Sequence, residues 1–161
     1  MPITPVESLS QVLQVRRLRN SCRDQLTNHN EYIGLVRQTR WYFRYYRRAR
    51  VADYRLYLLL SDARVPLGYG AAHLRDDQLL ITECVNTGHR GQGHGTTILR
   101  HLIAIGRAEG RELVAQVWSD NRASVSMHEK AGFKLQSIET NRGRELATYL
   151  LRISSATHSL E

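Results

Sequence analysis

At 161 residues with 42% apolar side chains, the chain has room for one domain with a sizeable core and too little for two. No window approaches the ~18 consecutive apolar residues of a membrane-spanning helix, and the start Met1-Pro2-Ile3-Thr4-Pro5 lacks the order of a secretory leader, so a cytoplasmic, non-membrane protein is expected. A formal charge of +8 favours anionic partners; the absence of a helix-turn-helix, zinc or RNP signature argues against nucleic acid, leaving a polyanionic cofactor, an acidic substrate or a solvated basic face. The two cysteines, Cys22 and Cys84, lie far apart in unlike contexts and are expected as free thiols, and the seven histidines do not fall into metal-ligand spacing, so no metal is expected.

In chain order, Ile3 and Thr4 can make only a short first strand before Pro5 interrupts it. Residues 7–19 carry Leu9, Val12, Leu13, Val15 and Leu18 at helical spacing, and residues 22–30 read as a loop. A second helix is expected over 31–48, with Tyr32, Ile33, Val36, Trp41 and Tyr45 as its apolar stripe and Arg37, Arg40, Arg44, Arg47 and Arg48 on its flanks. Runs at 54–60, 65–74 and 79–85, separated by short polar turns, read as an antiparallel meander. A helix follows over 96–109, stopped by Gly110, then a strand at 111–118, a helix at 121–130, and strands at 133–138 and 144–153. The order is mixed α/β of the α+β kind, with hairpins first and a β-α-β crossover after them. Residues 1–153 form the expected single domain; 154–161 are a polar tail whose Leu160-Glu161 resembles a cloning scar.

The stretch that carries chemistry is Val85 to Thr96. A strand ends there in a turn containing Gly91, Gly93 and Gly95 and passes straight into a helix, presenting backbone N–H groups at the positive end of a helix dipole. Arg90 adds a positive charge at the lip. The spacing matches neither the Walker nor the Rossmann pattern, because Ile98 and Leu99 stand where those need Lys, Ser or a third Gly. It resembles the acyl-CoA pyrophosphate loop of the GNAT superfamily of N-acetyltransferases, [RQ]-x-x-G-x-[GA], here Arg90-Gly91-Gln92-Gly93-His94-Gly95. A second stretch, from Asn121 through Ala123, Ser124, His128 and Lys130 to Gly132-Phe133, resembles that family's N-x-x-A/S-x-x-x-Y-x-K-x-G-F signature about thirty residues later. Together the two motifs identify the chain as similar to GNAT enzymes over residues 54–153.

That resemblance implies a largely antiparallel sheet of six or seven strands, about four helices, and fourth and fifth strands that splay around acetyl-CoA, the acyl donor. It implies phosphate contacts from Arg90, Gly91, Gln92, Gly93, His94, Gly95 and Thr96, and donor contacts from Cys84, Val85 and Asn121. A primary amine would then attack the thioester directly, with no covalent enzyme intermediate. His128 stands where the family commonly has the tyrosine that protonates the departing thiolate; it is read as that acid or as a spacer, with Tyr149 as an alternative. Glu83 is the carboxylate on the right strand for a base, or a partner of one of the many arginines, with solvent as the fallback; Gln116 is neutral. Asn20 and Trp41 lie in stretches similar to members that acetylate nucleotide-linked amino sugars, for which an anionic acceptor would suit the arginines. Members acting on protein N-termini or antibiotics share parts of that pattern, a CoA-binding regulatory protein without catalysis is the rival of another class, and monomer and homodimer are both compatible.

Overall fold

The computed structural model describes residues 1–28 and 30–153 and arranges seven strands in one sheet, in the order β1-β2-β3-β4-β5-β7-β6. The tail and its expected cloning scar lie outside the described residues. β1 (Ile3–Pro5) pairs antiparallel with β2 (Tyr54–Leu60), and Pro5 sits opposite Tyr57 on the sheet edge, where a missing N–H is tolerated. β3 (Pro66–Arg75) and β4 (Gln78–Val85) complete the expected meander; their two-residue turn puts Asp76 and Asp77 at φ 44° and 70°, left-handed values that short hairpins favour. β5 (Leu113–Trp118) runs parallel to β4 but pairs with it only over Leu79–Ile81 against Leu113–Ala115. β6 (Lys134–Asn141) and β7 (Arg144–Leu151) close the sheet antiparallel to their neighbours.

Helices cover both faces of the sheet. On one side α4 (His94–Glu109) lays Ile98, Leu99, Leu102 and Ile103 on Leu79, Ile81, Leu113 and Ala115, and α5 (Arg122–Lys130) joins this layer through Val125 and Met127. The spacing of the α4 residues is the apolar stripe of a surface helix, and Gly110, at φ 62°, ends it as expected. On the other side α1 (Leu9–Ser21) buries Val12, Val15 and Leu18 against Leu56, Leu58 and Tyr69. α1 starts later than its periodicity suggests because Ser8 and Gln11 form a reciprocal capping box.

The second helix departs from expectation. It begins at Leu35, so Tyr32 and Ile33 precede it, and it runs as α2 (Leu35–Trp41), a π turn (Tyr42–Tyr46) and α3 (Arg47–Ala49). The wide turn lines up Tyr42 and Tyr46, four apart, and the rod buries Gln38, Tyr42, Tyr46 and Ala49, while Val36 is 71% and Tyr45 41% exposed. Tyr46 fastens the rod to the sheet: its hydroxyl donates to the Val6 carbonyl at 2.8 Å and accepts from the Leu56 N–H at 3.3 Å.

Cys22 and Cys84 are also a correction, since they are joined as a disulfide and no described cysteine is free. The end of α1 carries Cys22 over the face of β4 opposite to Val85, and strand alternation puts Cys84 on that same face.

β3 lies close against β4 and α4 at Gly68. A Cβ there would stand 2.6 Å from the Cys84 carbonyl oxygen and 2.9 Å from Ile98 Cδ1. Gly68→Ala is therefore expected to cost about 1–3 kcal/mol and lower the melting temperature, whereas Gly88→Ala, whose Cβ would meet nothing within 4 Å, should leave it unchanged. Equal melting temperatures for the two variants would contradict this packing.

Candidate active site

The parting of β4 from β5 opens a cleft of about 550 Å³ whose walls run from the glycine loop, along Glu83 to Val85, across to Gln116 to Trp118. The Leu79 N–H donates to the Glu112 carbonyl at 2.9 Å, which sets the odd residues of β4 to face β5. By strand alternation the N–H and C=O groups of Glu83 and Val85 face the gap, beyond the last paired residues, Ile81 and Ala115.

At one end the loop makes an anion cradle. Gly91 and Gly93 adopt φ 75° and 80°, and a Cβ on either would meet nothing within 4 Å, so open space lies in front of the backbone. Gly93 caps α4 without a side-chain bond, and the first helical hydrogen bond runs from the Thr97 N–H to the Gly93 carbonyl. The N–H groups of His94, Gly95 and Thr96 thus have no acceptor among the described residues. His94 is 5% exposed and its Nδ1 is buried without a partner. Arg90, exposed at the lip, forms no ion pair among the described residues. Orphan donors, an unpartnered imidazole nitrogen and a free guanidinium fit a pyrophosphate. Of the predicted loop residues Gln92 alone is off the wall; its side chain is exposed.

At the other end Glu83 lines the cleft and is backed by His128. The two meet at 3.2 Å between His128 Nε2 and Glu83 Oε1, an ionic contact without hydrogen-bond alignment. His128 is 0% exposed and is not part of the wall. Its Nδ1 lies 2.9 Å from the Ser124 carbonyl oxygen, its ring stands edge-on to Phe133, and Tyr149 stacks 6.4 Å away. Burial alone would lower its pKa, but the Glu83 charge and contact and the Ser124 carbonyl outweigh burial and raise it. Glu83 is thus paired with a histidine and not with an arginine. The Tyr149 hydroxyl is turned to Glu129 at 3.4 Å.

Asn121 lines the cleft as predicted, while its side chain is already engaged: Oδ1 accepts from the Ser124 N–H and caps α5, and Nδ2 donates to Gln25 Oε1 at 2.8 Å. Asn20 and Trp41 do not line the cleft. The Asn20 amide brackets the backbone of Ile33, 3.0 Å on each side, and Trp41 stacks on Tyr46 at 5.0 Å. Sequence reasoning missed Gln25, Leu26 and Thr27, which line the cleft from the α1–α2 connection; a short polar loop carries no mark of the strand it crosses.

A parted parallel strand pair with an anion cradle at the head of the crossover helix suits a long ligand that carries a pyrophosphate at one end and amide groups along its length. The model of the acetyltransferase (GNAT) family matches residues 15–133, so the chain belongs to the GNAT acetyltransferases and is an acyl-CoA-dependent transferase. Similar solved structures include a putative acetyltransferase, YncA, from Salmonella typhimurium with its cofactor acetyl-CoA, at TM-score 0.79 and 19% identity over 96% of this chain and 95% of that one. An N-acetyltransferase from Staphylococcus aureus Mu50 superposes at TM-score 0.80 and 20% identity, covering 94% and 97%. The ribosomal-protein-alanine N-acetyltransferase of Brucella melitensis does so at TM-score 0.78 and 17% identity, covering 95% and 100%. No curated protein matches in sequence. Among the described residues no cluster of three metal-ligating side chains occurs and no helix is long and apolar enough to cross a membrane.

Two predictions follow from this geometry. Gly93→Asp places a carboxylate in the cradle at a positive φ, and is expected to weaken coenzyme A binding by roughly tenfold or more in calorimetry, about 1.4 kcal/mol; unchanged affinity in a folded variant would remove the loop from donor binding. His128 is held above its ordinary pKa of 6.5, so the stability gained from its protonation is full below that value and lost as pH rises through the raised one. The gap in melting temperature between wild type and His128→Phe should therefore narrow with rising pH, and a gap that stays constant or widens would contradict the ion pair.

Proposed function

We propose that the protein transfers the acetyl group of acetyl-CoA to a primary amine by direct attack in a ternary complex. The bound donor supplies a thioester carbonyl, and the cleft backbone supplies donors for its oxygen in the N–H groups of Glu83 and Val85. The cradle residues, with Val85, Cys84 and Asn121, hold the donor. Glu83 is the base that accepts the proton of the amine, and its charge attracts the ammonium form into the cleft. His128 does not touch the cleft and acts through Glu83, fixing the carboxylate by their 3.2 Å contact. The disulfide between the two cysteines supports direct attack, because it leaves neither as a thiolate nucleophile.

The observation that bears most on the acceptor is the charge of the walls. Among the described residues lining the cleft, Glu83 and Arg90 are the only Asp, Glu, Lys or Arg side chains, and Arg90 belongs to the phosphate end. The arginines of the second helix, Arg37, Arg40, Arg44, Arg47 and Arg48, are exposed and off the wall. That leaves Gln25, Thr27, Thr82 and Gln116, amides and hydroxyls that suit an amine on an uncharged, amide-bearing carrier such as a peptide N-terminus better than a nucleotide-linked sugar. The Brucella neighbour, named for a ribosomal-protein alanine, supports the same class.

The test is thiol release from acetyl-CoA with a short uncharged peptide, a nucleoside-diphosphate amino sugar and a small amine as acceptors. We expect the peptide to exceed the sugar nucleotide by roughly tenfold in kcat/KM, with Glu83→Gln lowering kcat about 10²–10³-fold. The reverse preference would sink the acceptor assignment and full activity of Glu83→Gln the base. Coenzyme A binding without turnover of any amine would favour a regulatory protein.

A further inference from the structure

Cys22 and Cys84 carry chemistry that acetyl transfer does not use. They are only 2% and 5% exposed, yet both belong to the cleft wall, in company with Glu83 and Val85. Their disulfide ties the end of α1 to β4 across a sequence separation of 62 residues. Beyond Cys22 the chain crosses to the other limb. There the Trp118 Nε1–H donates to the Leu26 carbonyl at 3.3 Å, Asn28 Nδ2 donates to Gln116 Oε1 at 3.0 Å, and Asn121 Nδ2 donates to Gln25 Oε1 at 2.8 Å. Residues 22–28 are thus a strap over the opened strands, held to β4 by a covalent bond and to the β5 side by these three hydrogen bonds.

Thiol–disulfide exchange requires a thiolate to reach a disulfide sulfur, and access decides among thiols of similar acidity. Cys22 and Cys84 are nearly sealed and stand among the residues that line the cleft, and the cradle at its far end selects molecules that carry a pyrophosphate. Acetyl transfer releases such a molecule with a free thiol.

We propose that the Cys22–Cys84 disulfide is a thiol-exchange site for coenzyme A, the product of the reaction, which becomes covalently attached to Cys84. The proposal rests on the acyl-CoA reading of the cleft. The coenzyme A thiolate bonds to Cys84 Sγ, the Cys22–Cys84 bond breaks, and Cys22 leaves as a thiolate that takes up the proton the coenzyme gave. One disulfide replaces another, and no outside oxidant is needed. Cys84 is the attacked sulfur because it is on β4 between Glu83 and Val85, the limb whose backbone faces the donor. The adduct fills the donor site and frees the strap from β4, so transfer stops until a second thiol removes the coenzyme.

Protein purified without reductant is treated with coenzyme A, with acetyl-CoA, which has no free thiol, or with glutathione at equal thiol concentration. Intact mass, thiol titration and peptide mapping are followed. We expect coenzyme A to add once, on the Cys84 peptide, and to expose one thiol. Acetyl-CoA should add nothing, dithiothreitol should strip the adduct, and glutathione should react roughly tenfold more slowly or less. Gly93→Asp should slow the coenzyme A reaction and leave that of glutathione unchanged. Two free thiols at the outset, equal rates for the two thiols, or no adduct although coenzyme A raises the melting temperature would each overturn the proposal. If coenzyme A gives neither adduct nor a rise in melting temperature, the acyl-CoA reading itself fails and the exchange site with it.

Discussion

The site exists because β4 and β5 stop pairing after Ile81 and Ala115. An unpaired backbone edge in the middle of a sheet leaves donors and acceptors without partners, a cost that a merely frayed edge would relieve by closing. Closing is prevented from outside. β4 is paired along its whole length with β3 and β5 along its whole length with β7, so each limb is held by its outer neighbour. α4 and α5 pack under the two limbs, and Gly95, whose Cβ would stand 3.2 Å from Met127 Sδ, lets the head of α4 approach α5 where the cleft begins. The opening is therefore a fixed property of the fold, and a ligand that offers its own amide groups to the gap restores the missing hydrogen bonds.

What could be read from the sequence was what is local. The meander was legible because its turns need residues that accept a positive φ, as Asp76 and Asp77 do, and the glycine loop because a strand, three spaced glycines and a helix follow one another without interruption. The Asn121 to Phe133 stretch was legible for the same reason. The second helix was not, because its buried face depends on a π turn that shifts the phase of every later position and brings Tyr46, not Tyr45, onto the sheet. Glu83 was legible as a carboxylate on the right strand, but its partner was not. The choice between an arginine and His128 is made by the placing of α5 beside β4, a tertiary contact with no periodicity of its own. The disulfide and the strap escaped for the same cause, since residues 22–28 meet β4 and β5 only after both have been laid into the sheet.

The distribution of charge separates two roles that the composition had merged. A formal +8 invites an anionic substrate, but the second helix holds its arginines outside, with Arg47 over the ring of exposed Phe43 at 5.7 Å. The cleft has positive character only at the cradle. Excess positive charge can then raise the encounter rate with a polyanionic donor through its long-range field without any arginine contacting it. On the proposed reading the acceptor end, with Glu83 as its charge, is left to attract a cation.

On the assignment of Glu83 as base, the burial of His128 decides how the proton travels. Nδ1 is held 2.9 Å from the Ser124 carbonyl oxygen, a stronger contact than the 3.4 Å approach to the Ser124 hydroxyl, so the proton on Nδ1 stays in place. The Tyr149 hydroxyl is committed to Glu129 and offers no second outlet. Exchange with the cleft is confined to Nε2, which meets the cleft only through Glu83. With Nδ1 fixed on Ser124 and Nε2 paired to Glu83, the imidazolium has no site for a further proton, so a proton taken from the amine stays on the carboxylate and leaves by it. A carboxylate loaded and unloaded at one place can accept a proton as the amine attacks and return it as the thiolate departs. Base and acid then need not be two residues facing the substrate, and a histidine sealed from the cleft serves by holding that carboxylate in place.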